Sequence, residues 1–261
     1  MNRIKANGID INYRLEGPEN APVLMLSNSL LTDYGMWDTQ VPAFTAKYRL
    51  LRYDSRGHGD TQATPGAYSM EMLVADVVGL IDALGIRKLH FLGLSKGGMV
   101  AQRLAAKHGD RLSSVVLCDT ACQMPPRSIW DDRIKLAREK GTGAFVQGMT
   151  ERWLTPGYRA THPEVLAKLG TMISRTSVDG LVGSASAIQD MDHLPLLAEI
   201  KVPTLIIVGE KDMGTPVAAA EVLNRGIDGS KMVVVKNAAH LPNIEQAATF
   251  DATVLEFLKS H

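Results

Sequence analysis

From Ile9 to Leu15, in Ile9-Asp10-Ile11-Asn12-Tyr13-Arg14-Leu15, apolar and polar residues alternate. That is the period of an antiparallel strand with one covered face and one wet face. Gly17-Pro18-Glu19-Asn20 is turn chemistry, and Pro22-Val23-Leu24-Met25-Leu26 after it is an unbroken apolar run, the signature of a strand covered on both faces. The period then changes. Met36 to Ala46 reads as a helix and Tyr48 to Tyr53 as the next strand. Leu73, Val74, Val77, Val78, Ile81 and Leu84 recur at helical spacing between Ser69, an N-cap, and Gly85, a C-terminal stop. Another apolar run, from Leu89, ends at Gly93 and gives way almost at once to a helical run. Leu112–Asp119, Val202–Gly209 and Lys231–Val235 read as further strands. A last helix runs from Asn243 to about Leu258, with Asn243 and Gln246 in the spacing of a capping box. Strands alternating with helices in this way predict an α/β protein with a mostly parallel sheet and right-handed crossovers.

The alternation stops between about Ala121 and Leu197. That stretch holds helical runs punctuated by Pro125-Pro126, Gly141-Thr142-Gly143, Thr155-Pro156-Gly157 and His162-Pro163, and it is rich in Arg and Trp. It reads as a helical cap, residues 121–197, inserted into a sheet-bearing core formed by residues 1–120 and 198–261.

Composition narrows the class of partner. The chain has 261 residues, ample for one large α/β domain. Its 28 basic residues are matched by 28 acidic ones, so no long-range field favours nucleic acid or an anionic membrane, and a small molecule is the expected partner. Cys118 and Cys122 have neither metal-ligand spacing nor a disulfide framework, which fits a reducing compartment. Met1-Asn2-Arg3-Ile4-Lys5 lacks the apolar stretch of a signal peptide, and no apolar run approaches membrane-spanning length. The expectation is a soluble, cytoplasmic protein.

The candidate chemistry starts at Gly93-Leu94-Ser95-Lys96-Gly97. A strand ending at Gly93 and a helix starting just after Ser95 force a sharp turn with the serine at its apex, the G-x-S-x-G nucleophile elbow. Glycines two residues to either side relieve crowding there. A serine needs a base, and the base needs an orienting group. In a parallel sheet both belong just past the carboxyl ends of strands. Asp212, in Gly209-Glu210-Lys211-Asp212, and His240, in Asn237-Ala238-Ala239-His240, meet that demand. The order Ser95, Asp212, His240 is that of α/β-hydrolases. Asp119, past the strand after the elbow helix, is a second candidate acid. His58, in the turn Asp54-Ser55-Arg56-Gly57-His58-Gly59-Asp60, reads as a loop-tying histidine. His90, His108, His162, His193 and His261 have no assigned role. The two oxyanion donors are expected to be the backbone N–H groups of Lys96 and Leu30.

Over its whole length the chain resembles the α/β-hydrolase superfamily, and within it the 3-oxoadipate enol-lactonases. The narrower resemblance rests on Leu26-Ser27-Asn28-Ser29-Leu30 followed by Met36-Trp37, on Leu51-Arg52-Tyr53-Asp54-Ser55-Arg56-Gly57-His58-Gly59, and on Gly93-Leu94-Ser95. It implies an α/β-hydrolase fold with a mostly parallel sheet of the eight-stranded type, flanked by helices and capped. It also implies hydrolysis, without metal or organic cofactor, of a small enol-lactone bearing a carboxylate, on the bacterial route that degrades protocatechuate and catechol. An anionic substrate calls for arginine. Trp130-Asp131-Asp132-Arg133 and Arg152-Trp153 are similar to enol-lactonase cap stretches, and they nominate Arg133 as the carboxylate ligand with Trp153 and Trp130 as pocket walls.

Two positions depart from the family pattern. Lys96 follows the serine where relatives usually carry Met or Gln, and Leu31 stands where enol-lactonases typically carry Gly. The same triad also suits a carboxylesterase, a perhydrolase-like enzyme or a carbon–carbon bond hydrolase, and some relatives are non-catalytic ligand receptors. Ser95 argues against the dehalogenases and epoxide hydrolases of this fold, which use an aspartate.

Overall fold

A computed structural model describes residues 2–261. Its strands are β1 (Asn2–Ala6), β2 (Ile9–Glu16), β3 (Val23–Ser27), β4 (Arg49–Tyr53), β5 (Leu89–Leu94), β6 (Leu112–Cys118), β7 (Thr204–Gly209) and β8 (Lys231–Val235). They form one eight-stranded sheet in the order β1-β2-β4-β3-β5-β6-β7-β8. β1 is antiparallel to β2 and β2 to β4, and every other pairing is parallel. The runs without alternation occupy the interior of this sheet. β5 and β7 are buried at every position, as strands covered on both faces must be.

β1 is an element that the hydrophobic pattern did not announce. Its five residues expose both faces for most of their length. What makes it a strand is the turn Asn7-Gly8, in which both residues have positive φ (45° and 78°). Such a two-residue turn matches the twist of a hairpin, and it pins Ala6 opposite Ile9.

The helices are α1 (Val41–Thr45), α2 (Met70–Ala83), α3 (Lys96–Lys107), α4 (Arg127–Lys140), α5 (Val146–Trp153), α6 (Pro156–Thr161), α7 (Pro163–Arg175), α8 (Val178–Gln189), α9 (Val217–Gly226), α10 (Pro242–Glu245) and α11 (Ala247–Lys259). α3 packs on β5 and β6 and beside α2, and α9 packs on β7 and β8. As read from sequence, Ser69 caps α2, its side chain accepting from the Met72 amide. None of the helices among the described residues is long and apolar enough to cross a membrane.

Two helices differ from their expected form. The segment from Met36 to Ala46 is a 3₁₀ turn, Tyr34–Gln40, followed by the short α1. Pro42 has no N–H to give the Asp38 carbonyl, so a continuous α-helix cannot pass through it. The last helix is likewise broken at Gln246 into α10 and α11. Asn243 and Gln246 form no capping box. Asn243 Nδ2 instead donates to the Met36 carbonyl (3.1 Å) and to Gln40 Oε1 (3.2 Å), a buried cross-link that the local spacing does not reveal.

α4 to α8 all lie between β6 and β7. This helical segment leaves and rejoins the sheet layer at one place. Gln123 and Asp192 pair as an isolated β-bridge, and the His193 amide donates to the Cys122 carbonyl at 2.9 Å.

Candidate active site

Because β3 to β8 run parallel, the loops that follow them emerge at one edge of the sheet, and each candidate residue stands in such a loop. At the end of β5, Ser95 has φ 56° and ψ −114°, a conformation that costs a non-glycine residue about 1–3 kcal/mol. The fold holds it there from two sides: the Ser95 amide donates to the Cys118 carbonyl (2.9 Å), and Thr120 Oγ1 donates to the Ser95 carbonyl (2.8 Å). The flanking glycines have a steric reason. A Cβ on Gly93 would overlap the Gly97 carbonyl, and one on Gly97 would overlap the Ser27 carbonyl.

The Lys96 amide opens α3, so no helical carbonyl lies four residues before it to accept its hydrogen. The loop after β3 is drawn against the same helix end, where the Gly97 amide donates to the Asn28 carbonyl at 3.1 Å. Asn28 is itself fixed, donating to the Tyr53 carbonyl (2.7 Å) and accepting from Trp37 Nε1 (2.9 Å). Ser29 and Leu30 then line the same pocket as Ser95. Leu31, the substitute for the family's glycine, keeps a left-handed backbone with φ 65°. Its side chain is buried, so the apolar contact offsets the strain of the conformation.

Lys96 separates backbone from side chain. Its amide stands in the first turn of α3, whereas its side chain is buried, with Nζ 3.4 Å from His58 Nε2. It neither lines the pocket nor reaches solvent. Burial pulls the amine down to about 7, with Asp54 and Asp76 acting in the opposite direction. His58 is held well below its usual range by burial and then by Lys96, while its Nδ1 bonds the Arg56 carbonyl at 3.0 Å.

His240 Nδ1 lies 2.8 Å from Asp212 Oδ2. Asp212 also accepts from Thr215 Oγ1 (2.7 Å) and from the Gly214 amide (2.8 Å). Burial acts to raise the Asp212 carboxyl, but the charge of His240 and these hydrogen bonds prevail and hold it below its usual range. A hydrogen-bonded carboxylate that occupies Nδ1 fixes the imidazole tautomer and leaves Nε2 as the free base. Sequence reasoning missed Thr215, and it also missed Glu245. The buried Glu245 carboxylate accepts from the Ala239 amide beside His240, and from Thr155 through its amide (2.7 Å) and Oγ1 (2.6 Å). It joins the His240 loop to the end of α5. Leu241 adds a bond to the Trp153 carbonyl at 3.2 Å.

Ser95, Asp212 and His240 share one cavity of about 270 Å³ with Trp130, Arg133, Arg152 and Trp153 from the helical segment. Trp130 donates from Nε1 to the Met124 carbonyl (2.9 Å), and the Arg133 guanidinium lies over its ring, 4.5 Å from the centroid. Burial, and then the neighbouring Arg152, pull Arg133 down to about 10, so it stays charged at neutral pH. Among the described residues neither arginine has an acidic partner within ion-pair distance. The pocket thus sets two unneutralised cations beside a serine and a carboxylate-oriented imidazole. Asp119, Asp212 and His240 offer one donor atom each within 4.8 Å of one another, spacing that suits a metal. These groups already bond one another and the backbone: His240 Nδ1 to Asp212, and the Asp119 carboxyl to the Gly209 amide (2.8 Å) and the Cys118 thiol (3.0 Å).

Residues 22–247 match the family of the α/β-hydrolase fold. The chain belongs to that family. This α/β-hydrolase is 34% identical to 3-oxoadipate enol-lactonase 2 of Acinetobacter baylyi, over 98% of its own length and 96% of the relative's. A crystal structure of the enol-lactonase from Burkholderia xenovorans LB400 superposes with a TM-score of 0.97 at 39% identity, covering 99% of this chain and 100% of that one. A thermophilic esterase from Thermogutta terrifontis, solved with malate bound, gives a TM-score of 0.93 at 31% identity, covering 100% and 99%.

Proposed function

We propose that this hydrolase opens a small enol-lactone bearing a carboxylate, 3-oxoadipate enol-lactone going to 3-oxoadipate, through an acyl-enzyme on Ser95. The observation that carries the substrate class is the pair Arg133 and Arg152, unneutralised in the same cavity as Ser95 and His240. Its similarity to enol-lactonases across nearly the full chain supports the same reading.

In this reading Arg133 takes the substrate carboxylate, with Trp130 and Trp153 as walls. His240 Nε2 accepts the Ser95 proton as Oγ attacks the lactone carbonyl, and Asp212 stabilises the imidazolium. The backbone N–H groups of Leu30 and Lys96 hold the oxyanion, each worth about 3–4 kcal/mol by analogy with other hydrolases. Collapse breaks the ring C–O bond. The leaving group is an enolate, which takes the proton from His240 and tautomerises to the ketone. Water, deprotonated by His240, then attacks the acyl carbonyl and releases the carboxylic acid and free Ser95. Every proton in this cycle is carried by His240, so the chemistry asks for no metal or organic cofactor. Residues 121–197 serve as the cap, and the compartment that fits the cysteine usage is the cytoplasm.

A carboxylesterase on the same triad is the second reading. Ile129 and Met213, two large apolar side chains exposed at the pocket, favour it, as does the likeness to the Thermogutta esterase. Steady-state kcat/KM for the enol-lactone and for p-nitrophenyl acetate separates the two. The lactone reading requires a much larger value for the carboxylated substrate. A preference for the neutral ester overturns it in favour of the esterase.

A further inference from the structure

Asp119 is buried and follows β6 with φ 41°, a left-handed backbone that aspartate tolerates better than most side chains. Its amide donates to the Ile207 carbonyl (2.9 Å), and its Oδ1 receives the Gly209 amide (2.8 Å). The side chain is thereby aimed along the end of β7 toward the loop that carries Asp212. The titratable groups facing it are Cys118 from its own strand, whose thiol donates to Oδ2 at 3.0 Å, Asp212 past β7, and His240 past β8. One donor atom of each of Asp119, Asp212 and His240 lies within 4.8 Å of the others.

Two carboxyl groups packed this closely do not both ionise, and one retains a proton. The hydrogen-bond pattern says which. Asp212 accepts from Thr215 Oγ1, the Gly214 amide and the imidazole, whereas Asp119 is fully buried and accepts from one backbone amide and the weakly donating Cys118 thiol. Burial, and then the Asp212 charge, push Asp119 well above the usual carboxylate range, so the proton belongs to Asp119.

We propose that Asp119 is a positioning residue and reserve acid for this site: its carboxyl donates to Asp212 and holds it against His240, and where the Asp212 charge is lost it orients the imidazole itself. The inference rests on the triad reading above. It also gives Asp119, which the sequence offered only as an alternative to Asp212, a role beside it.

The test uses kcat and KM for p-nitrophenyl acetate across pH, with circular dichroism and thermal melting to confirm folding, in Asp119→Ala, Asp119→Asn, Asp212→Asn and the double variant Asp119→Asn/Asp212→Asn. Asp119→Ala is expected to lower kcat about tenfold with little change in KM, and Asp119→Asn to restore most of that loss, because an amide also donates to Asp212. Asp212→Asn is expected to keep activity about tenfold or more above the Ser95→Ala background, and the double variant to fall to that background. The acid limb of kcat/KM in Asp212→Asn should gain an ionisation that the double variant lacks, since Asp119 must lose its proton to act. If Asp212→Asn is as inactive as Ser95→Ala, or if the double variant matches Asp212→Asn, the reserve role is wrong. If Asp119→Asn loses as much as Asp119→Ala, the positioning role is wrong. Failure of the triad reading looks different, because Ser95→Ala would then retain wild-type turnover.

Discussion

Lys96 carries the sharpest stability prediction, because its side chain is a buried amine whose one hydrogen-bond contact among the described residues is a neutral histidine. Its fall from 10.5 to about 7 means that at pH 7 the folded chain forgoes roughly 4 kcal/mol relative to an exposed lysine. The sign follows from proton counts. Below about pH 7 the folded and unfolded chains both carry the proton, and the penalty is complete. Between about pH 7 and 10.5 only the unfolded chain carries it, so wild-type stability climbs by up to about 1.4 kcal/mol per pH unit. Lys96→Met removes the amine and keeps most of the buried volume. It also leaves His58 Nε2 without a donor, which costs about 1–3 kcal/mol. The variant should therefore be about 1–3 kcal/mol more stable than wild type at pH 7. That advantage should shrink by roughly 3 kcal/mol by pH 10. Urea unfolding followed by tryptophan fluorescence at pH 7, 8.5 and 10 measures both quantities. A difference between the two proteins that stays constant across this range would refute the reasoning, since it would mean that the amine does not titrate in its buried site.

Arg133→Met keeps the contact with Trp130 but removes the charge, and the loss of a charge-assisted bond of about 1.5–3 kcal/mol should raise KM for the carboxylated lactone about 10- to 100-fold. On p-nitrophenyl acetate, which has no carboxylate, the same variant should lose at least tenfold less, and equal losses on both substrates would remove Arg133 from carboxylate binding. Leu31→Gly relieves about 1–2 kcal/mol of left-handed strain but empties a buried site whose truncation costs about 2–5 kcal/mol. A lower melting temperature is the expected result, and a higher one would show that the strain outweighs the packing.

The parallel sheet is what made this molecule legible from its sequence. Once Leu89–Leu92, Leu112–Cys118 and Val202–Val208 are recognised as covered strands, the residues after each must gather at one edge. Ser95, Asp212 and His240 share a pocket for that reason. The misses have a common cause in contacts that no local period encodes. β1 is mostly exposed, and its sign was the turn pair Asn7-Gly8 rather than any apolar run. Pro42 was the visible signal that the helix from Met36 would break. Thr215 and Glu245 contribute through hydrogen bonds to Asp212 and to the Ala239 amide, and neither belongs to a spacing motif. The buried course of Lys96 was equally hidden, since a lysine at the first position of a helix is as compatible with solvent as with His58.

The most direct test of the central claim is whether Ser95 becomes acylated. Rapid mixing with p-nitrophenyl acetate should give a burst of p-nitrophenol close to one equivalent per chain, with an acetyl adduct on Ser95 found by mass spectrometry of the quenched protein. Ser95→Ala should fold normally, show no burst and turn over neither the ester nor the enol-lactone. Near wild-type turnover of both substrates by Ser95→Ala, or an adduct on another residue with Ser95 unmodified, would contradict the account.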